Sequence, residues 1–245
     1  MIMENKSVWL ITAKTNLHVG NENASNYGLI DKSIQRDALT GLPCINSSSL
    51  KGALNEYFTM ESKEKIDLLK VFGSDKTPDQ KVKKDTQKGS YAFFDAQILF
   101  LPVQGEQGKD ELFHLATSTS VLQRFIDRMT LFGMLYEDDH NRLIEKLQTK
   151  IGKHRIAPPY SDSQFKELCD DDNLPIIARN KLENGESANL WYEQILPQET
   201  VFYTIFRSDK PLIEGILDNK IVQIGANATI GYGYCKFQKL NFSKP

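Results

Sequence analysis

Cysteine is scarce in this chain of 245 residues, and the three present do not pair up. Cys44, Cys169 and Cys235 are odd in number and widely spaced, with no C-x-x-C among them. That pattern points to a reducing compartment and argues against a disulfide framework or a cysteine-built zinc site. Histidine is scarce too. His18, His114, His140 and His154 never fall at ligand spacing from one another, and no H-E-x-x-H or EF-hand pattern exists. A dominant charge is missing, since 30 Lys+Arg stand against 32 Asp+Glu for a net −2. The chain therefore lacks the basic excess that marks most nucleic-acid-binding domains. No apolar run approaches the roughly 18 residues of a membrane span; even Tyr91–Val103 is broken by Asp95 and Gln97. The opening MIMENKSVWLITAKT has no basic stretch leading into an apolar core, so it reads as a strand and not as a secretory leader. The expectation is a cytoplasmic protein with no membrane partner.

What is present is ordinary for a globular domain: 40% apolar, 10% aromatic and 25% charged residues. The length suits one enlarged domain, and no linker or fixed-period repeat divides it. Ser7–Thr15 reads as a buried first strand. Ser47–Phe58 reads as a helix with Leu50, Ala53, Leu54, Tyr57 and Phe58 on one face, capped by Ser47 or Ser48. A second helix is expected over Lys63–Phe72, ending at Gly73. Ser90–Val103 reads as one long strand, followed by a short strand near Leu112–Leu115. Helices are expected over Thr117–Leu135 and Asn141–Lys150, and Lys153–Cys169 reads as a loop broken by Pro158-Pro159. Ile176–Leu182 and Ala188–Leu196 flank the turn signal Glu183-Asn184-Gly185-Glu186, and Gln198–Arg207 is another strand. Lys220–Ile224 pairs with Tyr232–Leu240 around GANATIGYG. The layout is α+β, with helices on one face of a mainly antiparallel sheet.

Two stretches escape this periodicity. From Asn16 to Asn46 turn formers recur without a helical or strand period, yet Leu29, Ile30, Ile34 and Leu42 argue for order, and long ordered loops are usually functional. It holds the polar candidates His18, Asp31, Gln35, Arg36 and Asp37. By itself His18, between Leu17 and Val19, reads as a core histidine, and Asp31 reads as a turn residue. Between Lys76 and Lys88 five lysines face two aspartates, which reads as a solvated loop. Two places could seat a phosphate. One is the start of the helix at Ser47, with its free N–H groups, nearby serines and Lys51. The other is the backbone of GANATIGYG, whose glycines permit close approach. The first reads equally well as a solvated lysine, and the second, taken alone, reads first as a simple hairpin turn. No G-x-S-x-G, Walker or dinucleotide-binding pattern offers another chemistry.

At these same residues the chain resembles a known family. His18-Val19-Gly20, GLIDKSIQRDALTGLPCINSSSLKGAL (Gly28–Leu54) and GANATIGYG (Gly225–Gly233) are similar to motifs of the RAMP superfamily of CRISPR proteins, and within it to the backbone subunits of type III-B (Cmr) effector complexes. FDAQILFLPV, TSTSVLQR and WYEQILPQETVF add to the likeness, which runs from about residue 15 to 238. The resemblance implies an RRM-like, ferredoxin-type core and a protruding hairpin, the thumb, at residues 176–196. It implies copies stacked head to tail along a guide RNA, beside other Cmr subunits, an assembly that extends because the interface does not close. It also implies cleavage of the target RNA at regular intervals. Asp31 stands where the family carries its cutting aspartate, with a divalent metal ion such as Mg²⁺ or Mn²⁺ as its expected cofactor and His18 as a secondary proton partner. The expected RNA-binding residues are Gln35, Arg36, Ser48, Ser49, Lys51, Arg179, Gly225, Asn227, Gly231 and Gly233.

Two departures accompany the likeness. Where the family often reads G-G-N-E-T, this chain has Gly225-Ala226-Asn227-Ala228-Thr229, so the glutamate is absent, and Ser47 replaces a family glycine. Two other functions compete: a guide-RNA scaffold that has lost cutting, and a stand-alone RAMP endoribonuclease that processes guide precursor. Intact Asp31 speaks against the first. The lack of a histidine pair near the glycine loop speaks against the second.

Overall fold

In a computed structural model the protein is described over residues 4–20, 30–61, 66–74, 87–105, 111–134, 140–152, 154–183 and 186–241. Gly28, Leu29, the tip Asn184-Gly185 of the expected hairpin, and four of the five lysines (76, 81, 83 and 84) lie outside these residues.

The elements in chain order are β1 (Asn5–Ala13), β2 (Cys44–Ile45), α1 (Ser47–Glu61), α2 (Leu68–Phe72), β3 (Tyr91–Phe93), β4 (Ala96–Gln104), β5 (Phe113–Ala116), α3 (Thr119–Leu131), α4 (His140–Ile151), α5 (Asp162–Leu168), β6 (Ile176–Glu183), β7 (Glu186–Gln194), β8 (Val201–Ser208), α6 (Glu214–Leu217), β9 (Ile221–Gln223) and β10 (Tyr234–Leu240). One antiparallel sheet runs in the order β2-β4-β8-β1-β10-β9, with β3 and β5 paired to β8 and β4; β6 and β7 form a separate two-stranded sheet.

β1 sits between β8 and β10, and Trp9, Leu10, Ile11 and Ala13 are fully buried. A strand apolar on both faces belongs in the middle of a covered sheet. Trp9 packs on Phe206 of β8 and Phe237 of β10, and its indole N–H donates to Ser7 Oγ at 2.9 Å, so the largest side chain of the core is also satisfied. Leu50, Leu54 and Phe58 of α1, and Val121, Leu122, Phe125, Ile126 and Met129 of α3, join the same core. The three cysteines are buried and free, and burial pushes each thiol up to about 12, which leaves them inert.

Three expectations need correction. The long strand over Ser90–Val103 is two strands, β3 and β4, on the same edge of β8. Between them the ladder continues through the N–H of Phe94 to Ile205 O, while Asp95 accepts the N–H of Ser47 at 2.6 Å. The strand breaks so that its aspartate can cap α1, a role expected for Ser47 or Ser48. The Lys153–Cys169 stretch contains the helix α5, begun by a capping box in which Ser161 and Gln164 satisfy each other's backbone N–H. A single turn, α6, also went unread; it has no side-chain cap to mark it.

Removing the Asp95 cap by Asp95→Ala should cost about 1 kcal/mol, the usual loss for an N-terminal cap. A denaturant titration checks this, with the unfolding slope expected to stay unchanged.

Candidate functional site at the base of the hairpin

In the described part of the stretch 16–46, only the two residues of β2 join a ladder, that of β4, and the rest is held by isolated bridges. Leu17 pairs with Leu196, Gly20 with Ile34, Lys32 with Glu193 and Arg36 with Pro43. Ile34 and Val19 are buried, which anchors the segment from below. Two of these bridges lie within the segment, and the other two reach Glu193 and Leu196, at and just past the inner end of β7, where the hairpin leaves the body. The N–H groups of Asp31 and Lys32 both donate to Tyr192 O at 3.1 and 3.2 Å, and Gln194 N–H donates to Lys32 O at 2.9 Å.

This docking places the candidate residues. Asp31 is exposed, and its Oδ2 accepts the Tyr192 N–H at 2.7 Å. Among the described residues nothing bonds its other oxygen. His18 is buried, with Nδ1 2.7 Å from Gln194 O. Asp31 and His18 thus hang from residues 192 and 194 of one strand, roughly 7 Å apart along it. Buried beneath the surface, His18 is a core histidine that fixes the strand, and it is not presented to RNA.

Gln35 is likewise corrected by its surroundings. It is buried; its amide donates to Gly20 O and Ser49 Oγ at 3.1 and 2.9 Å and accepts the Asn46 N–H at 2.8 Å. Its hydrogen-bonding capacity is nearly spent inside the loop, and Ser49 is engaged with it. Arg36 donates to Gly41 O and to Asp171 at 2.6 Å, and Asp171 also accepts from Gln194. Asp37 holds its own turn through Thr40. At the start of α1 the Asp95 carboxylate already occupies the end expected to seat a phosphate, and its charge opposes a second anion there. Ser48 and Lys51 remain exposed beside it.

The glycine loop closes the site from the other side. Gly225 has φ +82°, and a Cβ there would lie 2.3 Å from His18 O, so the loop passes against the histidine backbone. The N–H of Ala226 donates to that same carbonyl at 2.9 Å. Gly233, at φ +79°, would place a Cβ 2.0 Å from Ile224 O. Asn227 adopts the left-handed conformation at the entry of a short 3-10 turn, while Gly231 faces open space.

Between these segments lies a residue that sequence reasoning missed. Glu193 is 1% exposed. Its Oε1 accepts from Trp191 Nε1 at 2.7 Å and Lys32 Nζ at 3.0 Å; its Oε2 accepts from Arg179 Nε at 2.9 Å and Asn227 Nδ2 at 2.7 Å. Burial pushes its carboxyl up, but these four donors outweigh burial and bring it down to about 2. Arg179 also stacks on the Tyr232 ring at 4.8 Å, and Lys32 lies 5.1 Å from the Trp191 ring. A signal existed: a glutamate two residues after a tryptophan, just where the strand turns buried at Ile195-Leu196, must be paired.

A metal ion was expected at Asp31. Among the described residues no three acidic, histidine or cysteine side chains gather to hold one. Glu193 is saturated and Asp31 is alone, so these residues do not fit a protein-held cation.

A family model described as the RAMP superfamily matches residues 10–236. The chain belongs to the RAMP superfamily. Its relatives include the CRISPR system Cmr endoribonuclease Cmr4 of Pyrococcus furiosus, 29% identical over 272 aligned positions covering 85% of this chain and 88% of the relative. Among solved structures it is similar to a chain of the type III-B Cmr-beta complex bound to cognate target RNA (TM-score 0.73, 21% identity, 96% and 97% coverage). It is also similar to oligomeric Cmr4 from Pyrococcus furiosus (TM-score 0.68, 24% identity, 96% and 98% coverage). The fold is that of an RRM-like RAMP core carrying a hairpin. Among the described residues no helix is long and apolar enough to cross a membrane.

The Glu193 cluster makes stability pH-dependent with a definite sign. A carboxyl held at about 2, against an ordinary value of 4.5, contributes stability above pH 4.5 that is lost as pH falls toward 2. Between pH 5 and 3 the loss should be on the order of 2 kcal/mol, and Glu193→Gln should lack that share. Urea midpoints of the two proteins across this range check it.

Proposed function

We infer that this chain is a backbone subunit of a type III-B CRISPR effector complex in the cytoplasm, where it binds guide RNA and cuts the paired target RNA. Its partners are guide and target RNA, further copies of itself and other Cmr subunits. The observation that carries the reading is Asp31: an exposed carboxylate fixed by a backbone N–H of the hairpin strand, in a member of the RAMP superfamily related to a Cmr endoribonuclease.

The chemistry needs little more than placement. The 2′-hydroxyl of one target nucleotide attacks the adjacent phosphorus in line, forming a 2′,3′-cyclic phosphate as the bond to the 5′-oxygen breaks, and that oxygen takes a proton from water and leaves as a hydroxyl. Asp31 accepts the 2′-hydroxyl proton, a contribution of roughly 10²–10⁴ in rate. The in-line geometry comes from a nucleotide splayed out of the guide–target duplex. A lone carboxylate supplies at most two of a divalent ion's oxygen ligands, so Mg²⁺ or Mn²⁺ would be held mainly by RNA phosphates and water. The guide is held through its backbone by Ser48, Lys51 and the exposed loop from Gly225 to Gly231, while base pairing supplies sequence specificity.

Asp31→Asn and Asp31→Ala test the reading in assembled complexes. Asparagine still accepts from Tyr192 N–H, whereas alanine loses that hydrogen bond and about 1 kcal/mol of stability. Both variants should bind target within about twofold of wild type and give no ladder of cut products. A full ladder from Asp31→Asn would remove this carboxylate from the reaction. Loss of target binding by both would make Asp31 structural.

A further inference from the structure

We propose that Glu193 is a positioning residue for target cleavage, its single carboxylate locking the Asp31 segment, the base of the hairpin and the glycine loop into one rigid unit. The inference rests on the reading of Asp31 as the cutting residue. Four donors from three separate parts of the chain converge on Glu193: Lys32 from the Asp31 segment, Arg179 and Trp191 from β6 and β7, and Asn227 from the glycine loop.

The backbone ties the Asp31 segment to β7 only: the N–H groups of Asp31 and Lys32 donate to Tyr192 O at 3.1 and 3.2 Å, Gln194 N–H donates to Lys32 O at 2.9 Å, and Tyr192 N–H donates to Asp31 Oδ2 at 2.7 Å. The side chain of Lys32, the next residue, extends that tie beyond the strand by reaching Glu193 Oε1. The opposite oxygen, Oε2, ties in Arg179 and Asn227. A displacement of the hairpin or of the glycine loop is thereby transmitted to Asp31 through one group. Charge reinforces the point. Two cations meet one carboxylate, so without Glu193 the Lys32 and Arg179 side chains would repel and part. With it, one positive charge is left in surplus beside Asp31, where a scissile phosphate must lie.

Glutamine is the informative replacement, because it keeps shape and burial. Its amide can accept on one side only. In either orientation an NH₂ faces two donors, Lys32 and Trp191 or Arg179 and Asn227. A nucleophile and base misplaced by about 1 Å can lose 10²-fold in rate. The experiment is single-turnover cleavage by assembled complexes carrying wild-type, Glu193→Gln or Glu193→Asp subunits, with target affinity measured in parallel. The positioning role predicts a rate constant lowered about 10- to 100-fold for Glu193→Gln at unchanged reaction amplitude and unchanged target affinity, with Glu193→Asp, which still accepts on both oxygens, in between. A merely structural role would lower the amplitude, the fraction of competent complex, and leave the rate constant alone. That result, or a wild-type rate constant, overturns the proposal. Should Glu193→Gln fail to assemble, Lys32→Met removes the one donor on the Asp31 segment, keeps a flexible apolar stem near Trp191, and must slow the same step. Asp31→Asn run alongside separates the two claims. If Asp31→Asn cuts normally, the site assignment fails; if it is inactive while Glu193→Gln and Lys32→Met cut at full rate, only the positioning role fails.

Discussion

A carboxylate taken out of water must be met by donors, and Glu193 is met by four. That requirement organises the site. Burying the charge is unfavourable unless the partners arrive together, so Lys32, Trp191, Arg179 and Asn227 are held to a common point although up to 195 residues separate them in the chain. The long segment after β1 takes its shape from the same demand. In its described part, apart from the two residues of β2, it joins no ladder, and its polar backbone is satisfied by the inner end of β7, by the Gln35 side chain and by pairs within the segment. Function follows from that geometry. The exposed Asp31 is carried on a segment fixed to the hairpin strand, so the carboxylate we propose as the cutting group and the hairpin form one mechanical piece.

Much of the fold was legible because the burial pattern was strong. β1, α1 and α3 are where the apolar periods placed them, since each presents a continuous buried face to one core. The hairpin β6–β7 lies on either side of its Asn-Gly turn signal. The failures have local causes. Asp95 was read as an interruption within one strand, when it leaves the strand to cap α1. The helix α5 was masked by Pro158-Pro159, although the Ser161–Gln164 capping box two residues later marks a start. Isolated bridges leave no period at all, so the stretch 16–46 could be recognised as ordered but its shape could not be derived.

The site was legible in its residues but not in its roles. Asp31 was reached through the family motif, and composition alone would have left it a turn residue. Gln35 and Arg36 share that motif, yet the buried Gln35 serves the loop and Arg36 is spent on Gly41 O and Asp171; His18, from the neighbouring motif, is buried against Gln194. This has a simple physical reason: a functional loop without regular structure must spend polar side chains on its own backbone, so its motif mixes residues that act with residues that hold. The C-terminal loop shows the same division. Where the resemblance led us to expect a glutamate this chain has Ala228, exposed, while the neighbouring Asn227 turns back to Glu193.

The central claim is that the Asp31 segment is part of the hairpin base and not a loop that moves independently. Native-state hydrogen exchange of the assembled complex tests it most directly. The amides of Asp31, Lys32, Tyr192 and Gln194 should exchange with similar protection, through a single shared opening. Exchange at Asp31 and Lys32 that is orders of magnitude faster than at Gln194 would contradict the account, because the carboxylate would then be free of the strand that is said to aim it.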